Sequence, residues 1–237
     1  MNIEEIHNKK LENLMPIEFS VDKDFCDVPD PLPRQSAHCL FIGPPRVGKS
    51  SLMLQWLLNK KPKLYRKCFD NVLVVAPTQS LKSIKEQPFA DHDQEKMFTD
   101  LDHETMSTIL AKIKEWAADE LNTLLILDDQ TAHLKDNEVQ KLYNELSFNR
   151  RHYRCTIWNC IQVYNQTPLP VRKSATHLIV FKTPIQEFDT IMNETLSYTK
   201  EIARSLYNYV FKRAHEFLLI NVPTGQLYRK YNLLQFS

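Results

Sequence analysis

The chain is poor in glycine. It has three glycines in 237 residues, where average usage near 7% would give roughly 17. Two of the three, Gly43 and Gly48, lie five positions apart, directly after the apolar run Cys39–Ile42. Glycine is favoured where the backbone takes a positive φ or closely approaches another group. Keeping two of its few glycines here indicates a loop with a special backbone requirement.

Other scarcities exclude several classes of protein. No apolar run approaches 18 residues, so no membrane span is predicted. Residues 1–10 carry mixed charges and no apolar segment, so we expect no secretory signal and a protein that is not secreted. The five cysteines are odd in number and lack CxxC spacing, which indicates reduced thiols. Lys and Arg total 30 against 29 Asp and Glu, so contact with nucleic acid would have to come from local basic clusters.

The segment around the two glycines matches a P-loop, Gly-x4-Gly-Lys-Ser, with a strand before it and a helix at 51–58. We expect backbone N–H groups and the helix N-terminus to surround a β-phosphate, with Lys49 on the β and γ oxygens and Ser50 on Mg²⁺. The predicted ATP-binding residues are Gly43, Pro44, Pro45, Arg46, Val47, Gly48, Lys49, Ser50 and Ser51. The alternative is an ordinary strand-to-helix turn with a chance lysine.

Apolar segments alternate with segments of helical periodicity along the rest of the chain. Strands are predicted at 69–77, 123–129, 155–161 and 177–181, helices at 103–119 and around 139–146, and a hairpin at 216–228. Continuous apolar strands joined by helices indicate a parallel sheet covered on both faces. We therefore predict an α/β domain at 37–237, with a mostly parallel sheet, helices on both faces and a C-terminal β-hairpin. Residues 1–36 are predicted to be an N-terminal extension, because prolines punctuate its end.

Two carboxylates, Asp128 and Asp129, follow the apolar run 124–127. At a strand end beside a P-loop, the first would hold Mg²⁺ and the second would orient or deprotonate a water, which suits hydrolysis better than transfer to a bound acceptor. The alternative is a surface turn after a core strand. One complete strand-helix unit, 69–119, separates the P-loop helix from this strand. This order resembles the ASCE division of P-loop ATPases, in which the next strand commonly ends in a polar sensor of the γ-phosphate, and Gln162 follows 155–161 at that position.

Several segments together resemble the FtsK/HerA superfamily, and within it the DNA-packaging ATPases of poxviruses, other large DNA viruses and virophages. They are GPPRVGKSS, LLILDDQ, NRRHYRCTIWNCIQ, PLPVRK and FLLINVPTGQLYRKYN, and the resemblance covers residues 37–237. It implies a ring-forming, Mg²⁺-dependent ATPase that drives double-stranded viral DNA into a preformed capsid. The implied partners are capsid or portal components, and the implied location is the host cytoplasm, in a viral factory, or the virion.

The resemblance also implies roles for single residues. Lys49 and Ser50 would bind phosphate and Mg²⁺, Asp128 would support the metal, Asp129 would activate water, and Gln162 would act as the sensor. Asp129 departs from the glutamate of most of the superfamily, and its shorter reach would need a closer water or a repositioned strand.

Arginines and lysines supply further candidates. Ring ATPases of this kind insert an arginine from the neighbouring subunit, and Arg150 and Arg151 match the position of that finger. The alternative for both is a solvated basic helix end. Arg172, in a predicted proline-bearing loop at Pro168 and Pro170, is a weaker candidate. Two basic clusters could follow DNA phosphates or be solvated faces: Lys60, Lys61, Lys63, Arg66 and Lys67, and Lys212 with Arg213.

Two other functions stay open on the sequence. A nucleoside or small-molecule kinase would need an acceptor pocket, an arginine-rich lid and no adjacent second carboxylate. A nucleotide-gated assembly or scaffold protein would bind ATP with little turnover, and the departure at Asp129 is compatible with it.

Overall fold

The structure, a computed structural model, describes residues 25–77, Phe89 and 91–235. Its centre is one nine-stranded sheet. The strands are β1 (His38–Ile42), β2 (Asn71–Val75), β3 (Met97–Phe98), β4 (Thr123–Asp128), β5 (Cys155–Ile161), β6 (His177–Phe181), β7 (Phe217–Asn221), β8 (Gln226–Arg229) and β9 (Asn232–Leu233). Their order across the sheet is β3-β2-β4-β5-β1-β6-β7-β8-β9.

The six strands from β3 to β6 in this order run parallel, and β7 to β9 add antiparallel pairs at one side. The carboxyl ends of the parallel strands therefore meet at one edge of the sheet. The strand between β1 and β4 is β5, whereas β2, which separates them in sequence, lies beyond β4. This arrangement brings the ends of the predicted P-loop, Asp-Asp and glutamine strands together.

Helices cover both faces of the sheet. They are α1 (Lys49–Leu58), α2 (His103–Ala118), α3 (Asn137–Asn149), α4 (Leu169–Ser174), α5 (Ile185–Leu196) and α6 (Lys200–Val210). Successive side chains of a strand point to opposite faces, so Phe41 of β1 packs in the cluster with α1, and Leu40 packs in the cluster with α2 to α6. Every residue of β1 and β5 is buried, as expected for strands covered on both sides.

The predicted fold class and C-terminal hairpin are confirmed, and two strands, β5 and β6, have the predicted bounds. The loop predicted around Pro170 is wrong, because this segment forms the short helix α4, with Pro170 in its first turn. Proline is tolerated there since the first N–H groups of a helix have no partner within it. Helices α5 and α6 and the two-residue strands β3 and β9 lack a prediction from the sequence.

Part of the predicted extension packs on the domain. Val28 and Leu32 are buried in the cluster with α1, and the Tyr65 hydroxyl donates a hydrogen bond to the Pro33 carbonyl. Residues 1–24 lie outside the described residues. The boundary near Ser36 stays a prediction.

A buried polar cluster lies at the amino end of β1. The His38 ring bonds to the Ser174 hydroxyl through Nδ1 at 3.1 Å and to the Tyr143 hydroxyl through Nε2 at 2.8 Å. Burial, with Arg150 nearby, lowers the pKa of His38 to about 3. The folded protein thus holds this ring neutral at pH values where the unfolded chain protonates it.

We expect the free energy of unfolding to fall by about 2 kcal/mol between pH 7 and pH 5 through His38 alone, because a proton binds the unfolded state below pH 6.5 and is excluded from the folded state. Urea unfolding of wild type and His38→Gln at both values measures it, with His152→Gln, an exposed position, as control. The variant should be less stable at pH 7 but lose less on acidification. An equal loss in wild type and His38→Gln would contradict the assignment.

Candidate active site

The loop from Gly43 to Gly48 connects β1 to α1 and has a backbone that requires glycine. Gly43 has φ +152° and Gly48 has φ +108°. A Cβ at Gly43 would lie 3.0 Å from Phe181 Cβ and 3.1 Å from Val47 Cγ2, which is closer than ordinary contacts allow. The Gly43 N–H donates to the Ile161 carbonyl at 3.2 Å, which ties the loop to the end of β5. Helix α1 begins at Lys49, so its N-terminus faces the loop as an anion-binding end requires.

The Lys49 side chain is held inside the loop. Its Nζ donates to the Gly43 carbonyl at 2.6 Å and to the Pro44 carbonyl at 3.0 Å. Burial lowers the pKa of Lys49, while Cys160, Asp128 and Asp129 nearby oppose the shift. An ammonium in such a partly desolvated site interacts more strongly with an anion than it would in bulk water.

Ser50 and Asp128 face each other across the start of α1 and the end of β4. The Ser50 hydroxyl donates to the Asp128 carboxylate, with distances of 3.3 Å to Oδ1 and 3.4 Å to Oδ2. Burial raises the pKa of Asp128, and the charge of Lys49 opposes that shift. A hydroxyl and a carboxylate are hard oxygen ligands of the kind Mg²⁺ uses together with substrate phosphates. The residues present therefore fit the predicted metal position.

Asp129 and Gln162 are brought together by the pairing of β4 with β5. Gln162 Nε2 donates to Asp129 Oδ1 at 2.7 Å. Asp129 has φ +58°, in the left-handed region, and its N–H donates to the Cys160 carbonyl at 3.3 Å. The turn directs the second carboxylate away from Asp128 and towards the end of β5, where the predicted water-activating group meets the predicted sensor.

Gln130 is a site residue that the sequence reasoning missed. Its side chain is buried, and its Oε1 accepts from the Leu101 N–H at 3.0 Å. Its Nε2 donates to the carbonyls of Asp128 at 3.1 Å and Thr99 at 3.5 Å. These bonds fix the backbone that presents both carboxylates. The one sequence signal for a role in the site was its position directly after Asp129, but a glutamine after a strand does not by itself indicate a function.

No protein-family model matches the chain, and no curated protein sequence matches it significantly. Solved structures do match. The genome packaging NTPase B204 from Sulfolobus turreted icosahedral virus 2, in complex with AMPPCP, has a TM-score of 0.64 and 16% identity, and the match covers 84% of this chain and 98% of that one. The DNA-packaging ATPase B204 from Sulfolobus Turreted Icosahedral Virus has a TM-score of 0.56 and 19% identity, over 81% of this chain and 95% of that one.

A third match comes from a longer chain, the cytoplasmic domain of the Thermomonospora curvata Type VII secretion ATPase EccC. It has a TM-score of 0.54 and 12% identity, and the match covers 84% of this chain and 24% of that one. The chain has a P-loop ATPase fold. The resemblance inferred from the motifs is thereby confirmed at the level of the fold.

Within the P-loop ATPase fold, Arg150 and Arg151 lie at the amino end of β5, opposite the loop. The seven residues of β5 separate the two ends by about 20 Å, so neither arginine can reach the P-loop of its own chain. Arg150 donates to the carbonyls of Ser36 at 2.8 Å and Ser147 at 2.6 Å. Arg151 is exposed.

Arg172 lies on α4 rather than in a loop. Its guanidinium pairs with the Glu194 carboxylate at 2.6 Å and lies 4.9 Å from the centre of the Tyr164 ring. Through these contacts Arg172 helps to pack α4 against α5.

Among the described residues, no helix has the length and apolar character needed to cross a bilayer.

Proposed function

We propose that the chain is an ATP-hydrolysing motor that moves double-stranded viral DNA into a preformed capsid. The observation that carries the proposal is the meeting of five side chains at one edge of the sheet, Lys49, Ser50, Asp128, Asp129 and Gln162. Lys49 and Ser50 begin α1, after the loop that follows β1, and the other three come from the ends of the adjacent strands β4 and β5. The likeness to packaging NTPases, whose B204 structures include complexes with ATP analogues, supports the motor part of the proposal.

Hydrolysis follows from the roles that these groups can take. The Lys49 ammonium exchanges its two loop carbonyls for β and γ oxygens and offsets their charge. Asp129 accepts a proton from a water that attacks the γ-phosphorus in line with the leaving ADP oxygen. Gln162, already bonded to Asp129, orients that water and contacts the γ-phosphate. The products are ADP and inorganic phosphate.

A magnesium ion would be held by the Ser50 hydroxyl and the Asp128 carboxylate. When bound, it would help to neutralise the charge of the phosphate groups. The second carboxylate, on Asp129, is directed to Gln162 instead, so the two acids have separate tasks. A kinase has no need of a water-orienting pair at this position, which makes the kinase function the weaker one.

Coupling to DNA requires a ring and a basic surface. Arg151 at the far end of β5 suits a finger that acts on the next subunit, because its own P-loop is out of reach. Lys60, Lys61, Lys63 and Lys67 are exposed in the turn after α1 and are candidates for contacts with DNA phosphates. Such contacts would bind DNA largely without regard to sequence and would weaken with salt.

We expect ATP hydrolysis to rise when double-stranded DNA is added, and Lys49→Ala to weaken ATP binding about 100-fold by removing the charged phosphate contact. Measurements of phosphate release and of ATP binding, each with and without DNA, test this. Lys141→Ala, which removes an exposed lysine from α3, is the matched control and should behave as wild type. A rate of ATP hydrolysis that does not change when DNA is added would contradict the proposed motor function. A hydrolysis rate near zero with intact ATP binding would favour the scaffold function.

A further inference from the structure

The backbone just after Gln162 is bound to helix α5. Tyr164, two positions after Gln162, is buried, and its N–H donates to Glu187 Oε1 at 2.6 Å. Glu187 lies in the first turn of α5 and is itself buried. A hydrogen bond from an N–H to a carboxylate is stronger than one between neutral groups, and burying the carboxylate would be costly without it. Glu187 therefore holds the chain at Tyr164.

The side chain of Tyr164 is bound to the other end of the same helix. Its hydroxyl donates to Glu194 Oε2 at 3.1 Å, and Glu194 lies in the last turn of α5. The guanidinium of Arg172 pairs with Glu194 and covers the Tyr164 ring. Both the backbone and the side chain of Tyr164 thus have partners on α5, so this part of the chain cannot shift without the helix.

Gln162 lies between two fixed points of the backbone. On one side, the Ile161 carbonyl accepts from the Gly43 N–H at 3.2 Å. On the other side, the Tyr164 N–H is bound to α5. The direction of the Gln162 side chain depends on both points, and so does the 2.7 Å hydrogen bond that it donates to Asp129 Oδ1.

Helix α5 is itself packed into a unit that contacts the P-loop. Phe188 of α5 packs against Phe211, at the end of α6, with 5.6 Å between the ring centres. Phe211 begins the segment 211–216, which connects α6 to β7 and lies on the P-loop, where His215 Nδ1 donates to the Val47 carbonyl at 3.0 Å. The helix that holds the residues after Gln162 therefore has a fixed position relative to the loop.

Resting on the proposed function, we propose that Glu187 is a positioning residue for ATP hydrolysis, which holds Tyr164 and thereby orients Gln162 towards Asp129 and the attacking water. Glu187 acts through Gln162 and not on the reacting atoms. What this role requires is an acceptor oxygen at the end of a side chain as long as that of glutamate. The negative charge strengthens the hydrogen bond and has no further part in it.

Three substitutions separate the length of the side chain from its charge. Glu187→Gln keeps the length and the acceptor oxygen, and its kcat should stay within about threefold of wild type, since only the charge assistance is lost. Glu187→Asp keeps the charge but is one methylene shorter, and Glu187→Ala has no acceptor. Both should lower kcat by between about 10-fold and 100-fold, because a misplacement of about 1 Å can cost about 10² in rate. ATP binding, measured by calorimetry, should stay within about twofold in all three, as for a residue whose effect is confined to the chemical step.

A double-mutant cycle on kcat tests whether Glu187 acts through Gln162. Gln162→Ala should lower kcat by itself, and adding Glu187→Ala should lower it by less than about twofold more, because the group that Glu187 positions is already absent. A merely structural Glu187 would lower kcat by the same factor in both backgrounds. Glu138→Ala, which removes an exposed glutamate from the first turn of α3, is the matched control and should have the kcat of wild type.

The outcomes separate this proposal from the proposed function. Equal factors in the two backgrounds, or a kcat for Glu187→Asp close to wild type while Gln162→Ala is impaired, would overturn the positioning role and leave ATP hydrolysis intact. A loss in Glu187→Gln as large as that in Glu187→Asp would overturn it as well. Urea unfolding checks that each variant is folded, and if Glu187→Ala is not, the comparison of Glu187→Gln with Glu187→Asp still decides. Wild-type protein that binds ATP without hydrolysing it would overturn the proposed function itself, and the positioning role with it.

Discussion

Asp129→Asn is expected to lower kcat for ATP hydrolysis about 1,000-fold while ATP binding stays close to wild type. Asparagine has the same shape as aspartate and can still accept the 2.7 Å hydrogen bond that Gln162 donates to Asp129 Oδ1. It cannot accept a proton from water, and general-base catalysis contributes about 10² to 10⁴ in rate. Steady-state kinetics with saturating ATP and DNA, together with equilibrium binding of ATP, measure both quantities.

The matched control is Asp119→Asn, the same change at an exposed position just after α2. It should leave kcat unchanged. Asp129→Asn protein with kcat within a few fold of wild type would mean that another group takes the proton, and the water-activating role would be lost. A large loss of ATP affinity would place Asp129 in nucleotide binding instead.

The P-loop and the Asp-Asp strand could be predicted because their signals are local. Eight consecutive residues define the loop, and the strand and helix beside it follow directly in sequence. The run before Asp128 is apolar because β4 is buried on both faces. Each of these features depends on neighbours along the chain, and the structure has the predicted strands and the helix after the loop.

Contacts between distant segments could not be predicted in this way. The bond between Gln162 and Asp129 depends on the register of β5 against β4. His215 donates a hydrogen bond to the carbonyl of Val47, 168 positions earlier in the sequence. Neither residue type predicts this contact. The helices α5 and α6 bring that segment back to the P-loop, and they lacked a prediction from the sequence. The contact of this segment with the P-loop could therefore not be predicted before the fold was known.

The two candidate finger arginines differ in their surroundings. Arg150 is partly buried, and its guanidinium bonds to the carbonyls of Ser36 and Ser147, which joins α3 to the start of β1. Burial lowers the pKa of Arg150. Arg151 is exposed at the same end of the sheet. An inserted finger must leave its own subunit's surface, so the position of Arg151 suits that role and the bonds of Arg150 suit a structural one.

Arg151→Ala is expected to lower kcat about 1,000-fold in the assembled ring, because a trans arginine is worth 10³ or more in phosphoryl transfer. Its free energy of unfolding should stay within about 0.5 kcal/mol of wild type, as for most surface substitutions. Arg150→Ala should lower that free energy by about 1 to 3 kcal/mol, because two buried carbonyls lose their donor. Urea unfolding measures the free energy of unfolding of both variants, and DNA-stimulated ATP hydrolysis measures their kcat.

Mixing two inactive variants tests whether the arginine acts between subunits. Arg151→Ala subunits have an intact P-loop and lack the proposed finger, whereas Lys49→Ala subunits have the proposed finger and lack the lysine proposed to bind phosphate. Since the two ends of β5 are about 20 Å apart, a complete site in a mixed ring must combine Lys49 from one subunit with Arg151 from its neighbour. Hydrolysis should therefore return on mixing. Mixed rings, verified by native mass spectrometry, that stay inactive would contradict the trans role of Arg151.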